Sequence, residues 1–444
     1  MSLTETILKP LGKIAGGAHV PHRKNTAEAE SVIMPPPAVV TIPLKQNIGA
    51  ACQPLVKKDD KVFVGTKIGE SEAPLSVPVH SSVSGTVKEI KKVSLPVGDV
   101  DAVVIESDGE MTPDPELKPV SVKTADDLVK ACRDSGLVGL GGAGFPTHIK
   151  LAPLSGNTID TLIINCAECE PYITSDYREC MENYDDILDG VYLLKNLFGL
   201  KKIIIAVEAN KPKAIEKLYE VAADRRDEDD AVKLMKLDTR YPQGAEKMLV
   251  YTALKRKIPL GKLPADVGCA VMNITSISAL NKYIRTGMPL VTRRITVDGN
   301  AVNNPQNVIV PVGTSVADLL SFCGGIDENT DKIILGGPMM GNAIKDTDTC
   351  LTKQSNAVLC FKDTKPMKIT PCIRCGRCAV ACPMLLAPGA VEHSIDHNFM
   401  SLEQLNVTAC IECGSCSFAC PAGRPLTAGM RTAKQHLRRL QNAK

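Results

Sequence analysis

Hydrophobic and polar positions follow different patterns in successive parts of the chain. Between residues 38 and 107, short apolar–polar alternations are broken by Gly, Pro and Asp, which predicts an all-β module with tight turns. From about residue 115 to 290, apolar strands alternate with helical repeats, and this predicts an α/β domain with a largely parallel sheet. Residues 291–345 return to strands with one helix. We therefore expect a multidomain protein of α/β plus β class.

The central segment has recognisable helix ends and strand ends. Thr124 is the expected N-cap of its first helix, and Gly136 is the expected stop. The strands TLIINCAE, KKIIIAVEAN, AVKLMKLD and GCAVMNI alternate with helical segments. Because ligands of parallel sheets bind beyond the carboxyl ends of the strands, the segments NCAECEPYITSD, DTRYPQGAE and NITS are candidates for a binding site.

Two cysteine repeats lie near the C-terminus, PCIRCGRCAVACP and ACIECGSCSFACP. Each has the spacing Cys-x2-Cys-x2-Cys-x3-Cys-Pro of a two-cluster ferredoxin, in which the fourth Cys of one repeat binds the other cluster. A pair of zinc sites is the alternative, but zinc would need only two Cys-x2-Cys pairs and would leave the other cysteines idle. The expected ligands are Cys372, Cys375, Cys378 and Cys420 for one [4Fe–4S] cluster, and Cys410, Cys413, Cys416 and Cys382 for the other.

Composition narrows the cellular setting. A net charge of +2 gives no indication of a nucleic-acid or acidic partner. Eight of the 17 cysteines lie in the repeats, and the other nine are scattered and odd in number, which suits a reducing cytosol. The N-terminus lacks a signal-peptide pattern, and no apolar run approaches the length of a membrane span. We expect an intracellular protein that does not itself cross a bilayer.

The segment GLVGLGGAGFPTHIK follows the first predicted helix and is rich in glycine. Glycines permit positive φ and let backbone N–H groups approach a phosphate or a planar ring closely. A helix precedes this loop and Phe145-Pro146 follows it, whereas a Rossmann fingerprint must follow a strand and open a helix. We expect Lys150 to supply a counter-charge at the start of the next helix. The glycines concerned are Gly139, Gly141, Gly142 and Gly144.

This loop resembles the glycine-rich loop of the flavin-bearing, NADH-oxidising subunit of respiratory complex I. The segments INCAECEP, YPQGAEKML and MNITS resemble further elements of that family. Two positions depart from the family pattern, since Leu140 replaces an Arg and Ala167 replaces an Asp. The resemblance implies a site for FMN and NAD(H) formed by Gly139, Gly141, Gly142, Gly144, Phe145, Lys150, Asn165, Glu168, Glu170, Tyr241, Gly244, Glu246, Asn273 and Ser276.

The same resemblance implies roles for the charged residues of the site. Lys150 would neutralise a phosphate, while Glu168, Glu170 and Glu246 would bind ribose hydroxyls or the nicotinamide amide. The alternative for the three carboxylates is a structural role at helix ends or in loops. No catalytic side chain is expected, because the hydride passes directly to the flavin.

The order of the modules resembles the RnfC family, from the Rnf electron-transport complexes, over nearly all of the chain. That order is an arm containing GGAHVPHRK, a barrel-sandwich module, a Rossmann-like parallel α/β flavin domain, a β-grasp module of the soluble-ligand-binding type and a two-cluster ferredoxin domain. The barrel-sandwich module is similar to lipoyl carrier domains, but its hairpin link ESEAPLS has no lysine. The expected bounds are 1–114 for the arm and barrel-sandwich, 115–290 for the flavin domain, 291–345 for the β-grasp module, and 346–444 for a linker, the ferredoxin domain and a basic C-terminal helix.

Membership of that family would imply an NAD-dependent flavin/iron–sulfur oxidoreductase, a ferredoxin:NAD oxidoreductase that works within an ion-translocating complex. It would be peripheral on the cytoplasmic face of the membrane and would contain FMN and two [4Fe–4S] clusters. Its partners would be NAD(H), a ferredoxin-like cluster subunit and integral membrane subunits, with no nucleic acid. Two alternatives stay open, a soluble cobalamin reductase built from similar modules and a flavin-less electron-wire scaffold.

The C-terminal segment PLTAGMRTAKQHLRRLQNAK predicts a basic amphipathic helix. Leu426, Met430, Leu437 and Leu440 fall along one side of it. The helix has two interpretations, binding to an anionic membrane or partner, and packing against the cluster domain.

Overall fold

The computed structural model describes residues 7–95, 98–156, 159–224, 230–365, 367–397 and 402–442. Its strands form four sheets, and each sheet lies within one of the expected modules apart from one short added strand. In the described part of the chain, no helix combines the length and the apolar character that crossing a membrane requires.

Two antiparallel sheets form the N-terminal module. One has the order β2-β8-β7-β4 and the other β3-β5-β6. Alternating apolar residues of both sheets, including Ile42, Ile68 and Ile105, are fully buried in one core, as a sandwich requires. The strands are β2 (Val39–Pro43), β3 (Gln53–Pro54), β4 (Lys61–Val62), β5 (Lys67–Glu70), β6 (Val79–His80), β7 (Gly85–Leu95) and β8 (Gly98–Ser107).

The flavin domain has the expected parallel sheet, with the strand order β11-β10-β9-β12. Thr124 caps the first helix as predicted: its hydroxyl accepts from the backbone N–H of Asp127, whose carboxylate accepts from the backbone N–H of Thr124. The strands are β9 (Thr161–Cys166), β10 (Lys202–Glu208), β11 (Val232–Leu237) and β12 (Cys269–Asn273). The helices are Ala125–Asp134, Thr147–Leu151, Ser175–Glu182, Tyr184–Phe198, Pro212–Asp224, Glu246–Leu254 and Ile274–Thr286, with 3-10 turns at Ala152–Gly156 and Pro264–Val267.

The β-grasp module is larger than the sequence indicated. The segment expected to be a linker after residue 345 contains a strand, Ala357–Lys362, which lies inside the sheet between two other strands. That part of the linker prediction was wrong, because the strand is short and pairs only with distant segments. The sheet order is β1-β14-β13-β17-β15-β16. Its elements are β1 (Val32–Ile33), β13 (Thr292–Asp298), β14 (Gln306–Pro311), helix Val316–Phe322, β15 (Thr330–Leu335), β16 (Asn342–Ile344) and β17 (Ala357–Lys362).

The ferredoxin domain is built from short helices around the cysteine repeats. The C-terminal helix buries Leu426, Met430 and Leu437 in a cluster with Val391 and Leu402, so its apolar side packs against the cluster domain. Leu440, at the end of that side, is exposed. The helices are Arg377–Val380, Pro388–His397, Ser415–Phe418 and Leu426–Asn442, with a 3-10 turn at Val407–Ala409.

The N-terminal arm crosses several modules rather than standing apart. Leu8 forms a bridge with Met235 of β11, and Ala18 forms one with Tyr241. The Gly17 N–H donates to the Ala381 carbonyl of the ferredoxin domain at 2.9 Å. Further along, β1 adds a parallel strand to the edge of the β-grasp sheet. The arm therefore links the flavin, ferredoxin and β-grasp modules.

Candidate functional site

The segments selected from the strand ends meet at one edge of the parallel sheet. Asn165 near the end of β9 pairs in register with Asn273 at the end of β12. The Asn165 side chain donates to the Gly244 carbonyl at 2.8 Å, and its oxygen accepts from the Ala167 N–H. The structure thus brings together residues that lie up to 108 positions apart in the chain.

The glycine-rich loop lies over the same edge. Its ends are closed by a hydrogen bond from the Gly139 N–H to the Phe145 carbonyl at 2.8 Å. Gly141 and Gly142 are exposed, and a Cβ on Gly142 would meet no atom within 4 Å. The Leu140 N–H donates to the Ser276 hydroxyl at 3.4 Å. The exposed part of this loop leaves room for a ring or phosphate to approach the backbone, and so fits FMN.

Gly144 has a different role from its neighbours. It is buried and has φ +71°, in the left-handed region that disfavours side chains. A Cβ at this position would lie 2.1 Å from the Gln354 amide nitrogen, and the Gly144 carbonyl accepts from the Ile48 N–H at 3.0 Å. Gly144 therefore fixes the loop against the barrel-sandwich module and the segment after β16.

The two residues that depart from the complex I pattern point away from the open edge. Leu140 is 2% exposed and belongs to the main apolar core of the flavin domain. Ala167 is fully buried in the core on the other face of the sheet. Neither side chain offers a polar group to a ligand, so nucleotide contacts made by an Arg or Asp at these positions are absent from this chain.

Lys150 and Glu246 pair with each other. The Lys150 ammonium lies 2.8 Å from the Glu246 carboxylate and also donates to the Val271 carbonyl at 3.4 Å. Lys150 sits in the last turn of the helix Thr147–Leu151, so the expectation that it lies at the helix start was wrong. Both side chains remain partly exposed, at 27% and 37%. Their separate roles at a phosphate and a ribose stay a prediction.

Glu168 serves the protein itself. Its carboxylate accepts from the backbone N–H groups of Asp176 at 2.6 Å and Tyr177 at 3.2 Å, at the start of the helix Ser175–Glu182. This is the structural alternative for a carboxylate at a helix end. Burial raises the pKa of Glu168 to about 7, against the lowering effect of Lys24. Its role as a ligand of ribose stays a prediction.

Glu170 has an unused acceptor. Its Oε2 accepts from the Met339 N–H at 3.0 Å, whereas its buried Oε1 has no hydrogen-bond partner among the described residues. The neighbouring Tyr241 hydroxyl donates to the Cys413 carbonyl. Burial raises the pKa of Glu170 to about 7. A buried acceptor without a partner fits a ligand hydroxyl or amide, because leaving it unpaired is unfavourable.

Two residues of this site were missed in the sequence. The Lys24 ammonium donates to three carbonyls of the loop after β9, those of Glu168, Glu170 and Ile173, at 2.9, 2.8 and 2.5 Å. Asp176 accepts from the Asn273 amide and the Thr275 hydroxyl, each at 2.7 Å. Lys24 ends the noted GGAHVPHRK motif, and that proximity was the only signal for it. Nothing local to Asp176 indicated its contacts.

Four of the predicted cluster ligands surround one cavity. Cys382 reaches it from the first repeat, and Cys410, Cys413 and Cys416 reach it from the second, which is the crossed arrangement that the spacing predicts. The cavity has an empty volume of about 320 Å³ and is otherwise lined mainly by apolar residues such as Met384 and Met430. Four thiols around one enclosed space fit a [4Fe–4S] cluster.

The other predicted ligand set lies nearer the surface. Cys372 and Cys375 are exposed, and Cys378 and Cys420 are partly buried. Within the described ranges, no three His, Cys, Asp or Glu side chains are arranged to hold a single metal ion. Assignment of this second set to a cluster stays a prediction based on the spacing.

Tyr241 lies between the flavin domain and the buried cysteine set. It is 2% exposed, and its hydroxyl donates to the Cys413 carbonyl at 2.6 Å. The sequence placed Tyr241 among the residues of the flavin and nucleotide site. The structure places its hydroxyl on the backbone of a predicted cluster ligand.

Models of known protein families match four successive parts of the chain. The N-terminal match is to the RnfC barrel sandwich hybrid domain over residues 12–110. The Nuo51 FMN-binding domain matches 132–282, and the SLBB domain matches 294–343. A 4Fe-4S dicluster domain matches 371–424. These matches confirm the four expected modules and the expected cofactor classes, FMN and iron–sulfur clusters.

Several known proteins are similar over most of the chain. The RnfC-type subunit of the proton-translocating ferredoxin:NAD(+) oxidoreductase complex of Clostridium ljungdahlii is 41% identical, covering 85% of this chain and 83% of that protein. The RnfC-type subunit of the Na(+)-translocating ferredoxin:NAD(+) oxidoreductase complex of Acetobacterium woodii is 40% identical, covering 96% and 97%. Among solved structures, an NAD+-reducing [NiFe]-hydrogenase aligns with 63% of this chain and 54% of its own at 18% identity and a TM-score of 0.49. On the sequence similarity, this chain belongs to the RnfC family of the ion-translocating ferredoxin:NAD oxidoreductase complexes.

Proposed function

We propose that this chain is the NAD(H)-oxidoreducing subunit of an Rnf complex. It passes electrons between NAD(H), FMN and two [4Fe–4S] clusters, and the complex couples ferredoxin:NAD electron transfer to ion translocation. The observation that carries the proposal is the hydrogen bond from the Tyr241 hydroxyl to the Cys413 carbonyl at 2.6 Å. It joins the flavin-type site directly to a loop of predicted cluster ligands.

The residues of the flavin site would act by binding and orientation. The exposed backbone of Gly141 and Gly142 would lie against the flavin or its phosphate. Lys150 would place positive charge near the phosphate, and the free Oε1 of Glu170 would accept from a hydroxyl or amide of the ligand. When bound, FMN accepts an electron pair as hydride and releases electrons singly.

The cysteines would hold the clusters in two crossed sets. Cys382, Cys410, Cys413 and Cys416 would bind the buried one. The more exposed set is Cys372, Cys375, Cys378 and Cys420. We assign the protein to the cytoplasmic face of the membrane, where it would contact a ferredoxin-like cluster subunit and integral membrane subunits. The domain bounds stay as expected, with the β-grasp module extended to Lys362.

Reconstitution of the full-length protein with iron, sulfide and FMN tests the proposal. We expect about eight iron atoms per chain, one bound FMN, and bleaching of flavin and cluster absorbance on addition of NADH. Cys413→Ser and Cys375→Ser, one from each ligand set, are each expected to lower the iron content by about half.

The outcomes separate the proposal from its alternatives. A protein that binds two clusters but no FMN would be an electron-wire scaffold. Iron far below about eight atoms per chain would contradict the two-cluster assignment. A loss of all iron in both variants, with the wild type fully loaded, would contradict two separate ligand sets.

A further inference from the structure

The loop containing Cys410, Cys413 and Cys416 rests directly on the flavin domain. The Tyr241 hydroxyl donates to the Cys413 carbonyl at 2.6 Å, and Tyr241 is 2% exposed. A hydroxyl buried to this extent makes its hydrogen bond without competition from water. The contact therefore fixes the position of the Cys413 backbone relative to the end of β11.

A second contact holds the same loop from the β-grasp module. Gly414 has φ +82°, and a Cβ there would lie 2.8 Å from the Met339 carbonyl. The Met339 N–H in turn donates to Glu170 Oε2 at 3.0 Å. Met339 thus lies between Glu170 of the flavin loop and Gly414 of the cysteine loop, and there is no space between the three modules at this point.

Apolar side chains surround the Tyr241–Cys413 hydrogen bond. Ala18 and Val20 of the arm are buried together with Tyr241 and Cys413. Cys169, Met339 and Ile411 pack against this group. In surroundings of low polarity a single O–H dipole has a larger electrostatic effect than it has in water. The dipole nearest to the Cys413 backbone that the flavin domain provides is the Tyr241 hydroxyl.

We propose that Tyr241 is a positioning residue that sets the reduction potential of the cluster held by Cys382, Cys410, Cys413 and Cys416. The inference rests on the proposed ligand set. Hydrogen bonds and burial around the ligands tune cluster potentials. The Tyr241 hydrogen offsets the negative end of the Cys413 carbonyl dipole. Without it, that carbonyl opposes the additional electron of the reduced cluster, and the midpoint potential becomes more negative.

Redox titration of the reconstituted full-length protein, followed by EPR, tests this role. In Tyr241→Phe we expect the midpoint of one of the two clusters to shift to a more negative potential, while the other cluster stays unchanged. The unaffected cluster is an internal control. Tyr283→Phe is the matched control, because it deletes the hydroxyl of a partly buried tyrosine on the helix Ile274–Thr286, and it is expected to shift neither midpoint.

A second variant covers the case in which Tyr241→Phe loses its cluster. Replacement of Tyr241 by 3-fluorotyrosine keeps the hydroxyl and makes it a stronger donor, so the same midpoint should shift to a less negative potential. A purely structural role for Tyr241 would not give shifts of opposite sign. Unchanged midpoints in fully loaded protein, or equal shifts of both clusters, would overturn the inference. Failure of the wild type to bind about eight iron atoms would instead count against the proposed function.

Discussion

At the scale of single residues, Lys24 is the group on which the flavin loop most depends. Each of its three N–H donors has a backbone carbonyl as partner, at Glu168, Glu170 and Ile173. Glu168 and Tyr172 have positive φ, at 45° and 69°, so the loop has a conformation that the backbone alone disfavours. The ammonium provides the hydrogen bonds that offset this cost.

We expect Lys24→Met to destabilise the protein by about 2–3 kcal/mol, because three carbonyls lose a charged donor. The loop would also lose its fixed geometry, and FMN affinity would fall roughly ten-fold for each 1.4 kcal/mol lost at the site. Chemical denaturation and titration with FMN measure the two effects. Lys13→Met, at an exposed lysine of the same arm, is the matched control and should change neither. Equal behaviour of the two variants would contradict the role of Lys24.

The pKa of Glu170, raised to about 7 by burial, predicts a pH dependence of stability. Because the pKa in the folded state lies above its value of about 4.3 in the unfolded state, the protonated carboxyl stabilises the fold at low pH. That contribution is lost as the pH rises towards 7. In flavin-free protein, Glu170→Gln should therefore gain about 1–3 kcal/mol over the wild type between pH 5 and pH 8.

Urea denaturation of wild type and Glu170→Gln at a series of pH values measures this difference. Glu168 has a pKa raised to a similar value, but it is present in both proteins, so the comparison isolates Glu170. A stability difference that stays constant over the whole pH range would show that Glu170 is already ionised in the folded protein.

At the scale of single elements, the glycine-rich loop separates a structural glycine from one open to a ligand. Gly144→Ala should destabilise the protein by about 1–3 kcal/mol, since its φ is +71° and Gln354 occupies the space of a side chain. Gly142→Ala should leave stability unchanged, because its Cβ would meet nothing. If the flavin lies against this backbone, Gly142→Ala should still lower FMN affinity roughly ten-fold or more, by a clash of about 1–3 kcal/mol.

Thermal unfolding without FMN and titration with FMN distinguish these effects, and each variant is a control for the other. Retention of full FMN affinity by Gly142→Ala would place the flavin elsewhere. Equal losses of stability in both variants would mean that the loop is uniformly packed, contrary to the open space around Gly142.

Most elements of the flavin domain were predictable, because periodicity and caps such as Thr124 are local signals. The helix Ser175–Glu182 was missed, since its start is capped by Glu168 from seven residues before it and not by an adjacent side chain. The strand Ala357–Lys362 was missed because its partners, β13 and β15, are separated from it by long stretches of chain. Elements that depend on distant partners carry little signal of their own.

At the scale of the whole molecule, the order of modules was predictable but their junctions were not. The cysteine spacing indicated the crossed ligand sets, and the cavity around Cys382 and Cys413 agrees with it. The contact of Tyr241 with Cys413 joins residues 172 positions apart, and no pattern in a single sequence encodes such a pairing. The same holds for the arm, whose glycines fit against the ferredoxin domain.

The arm predicts how the ferredoxin domain is kept in place. Gly16 has φ +59°, and a Cβ there would lie 2.6 Å from the Cys382 carbonyl and 2.8 Å from the Val380 carbonyl. Gly16→Ala should therefore push the arm away from the ferredoxin domain. At a cost of about 1–3 kcal/mol, the population with separated modules rises roughly ten-fold or more. Limited proteolysis between the β-grasp module and the ferredoxin domain should become faster by a similar factor. Gly98→Ala has the same kind of backbone strain, at φ +107° with no atom within 4 Å, and should not change that cleavage rate. Equal cleavage rates in the two variants would show that the arm does not hold the ferredoxin domain.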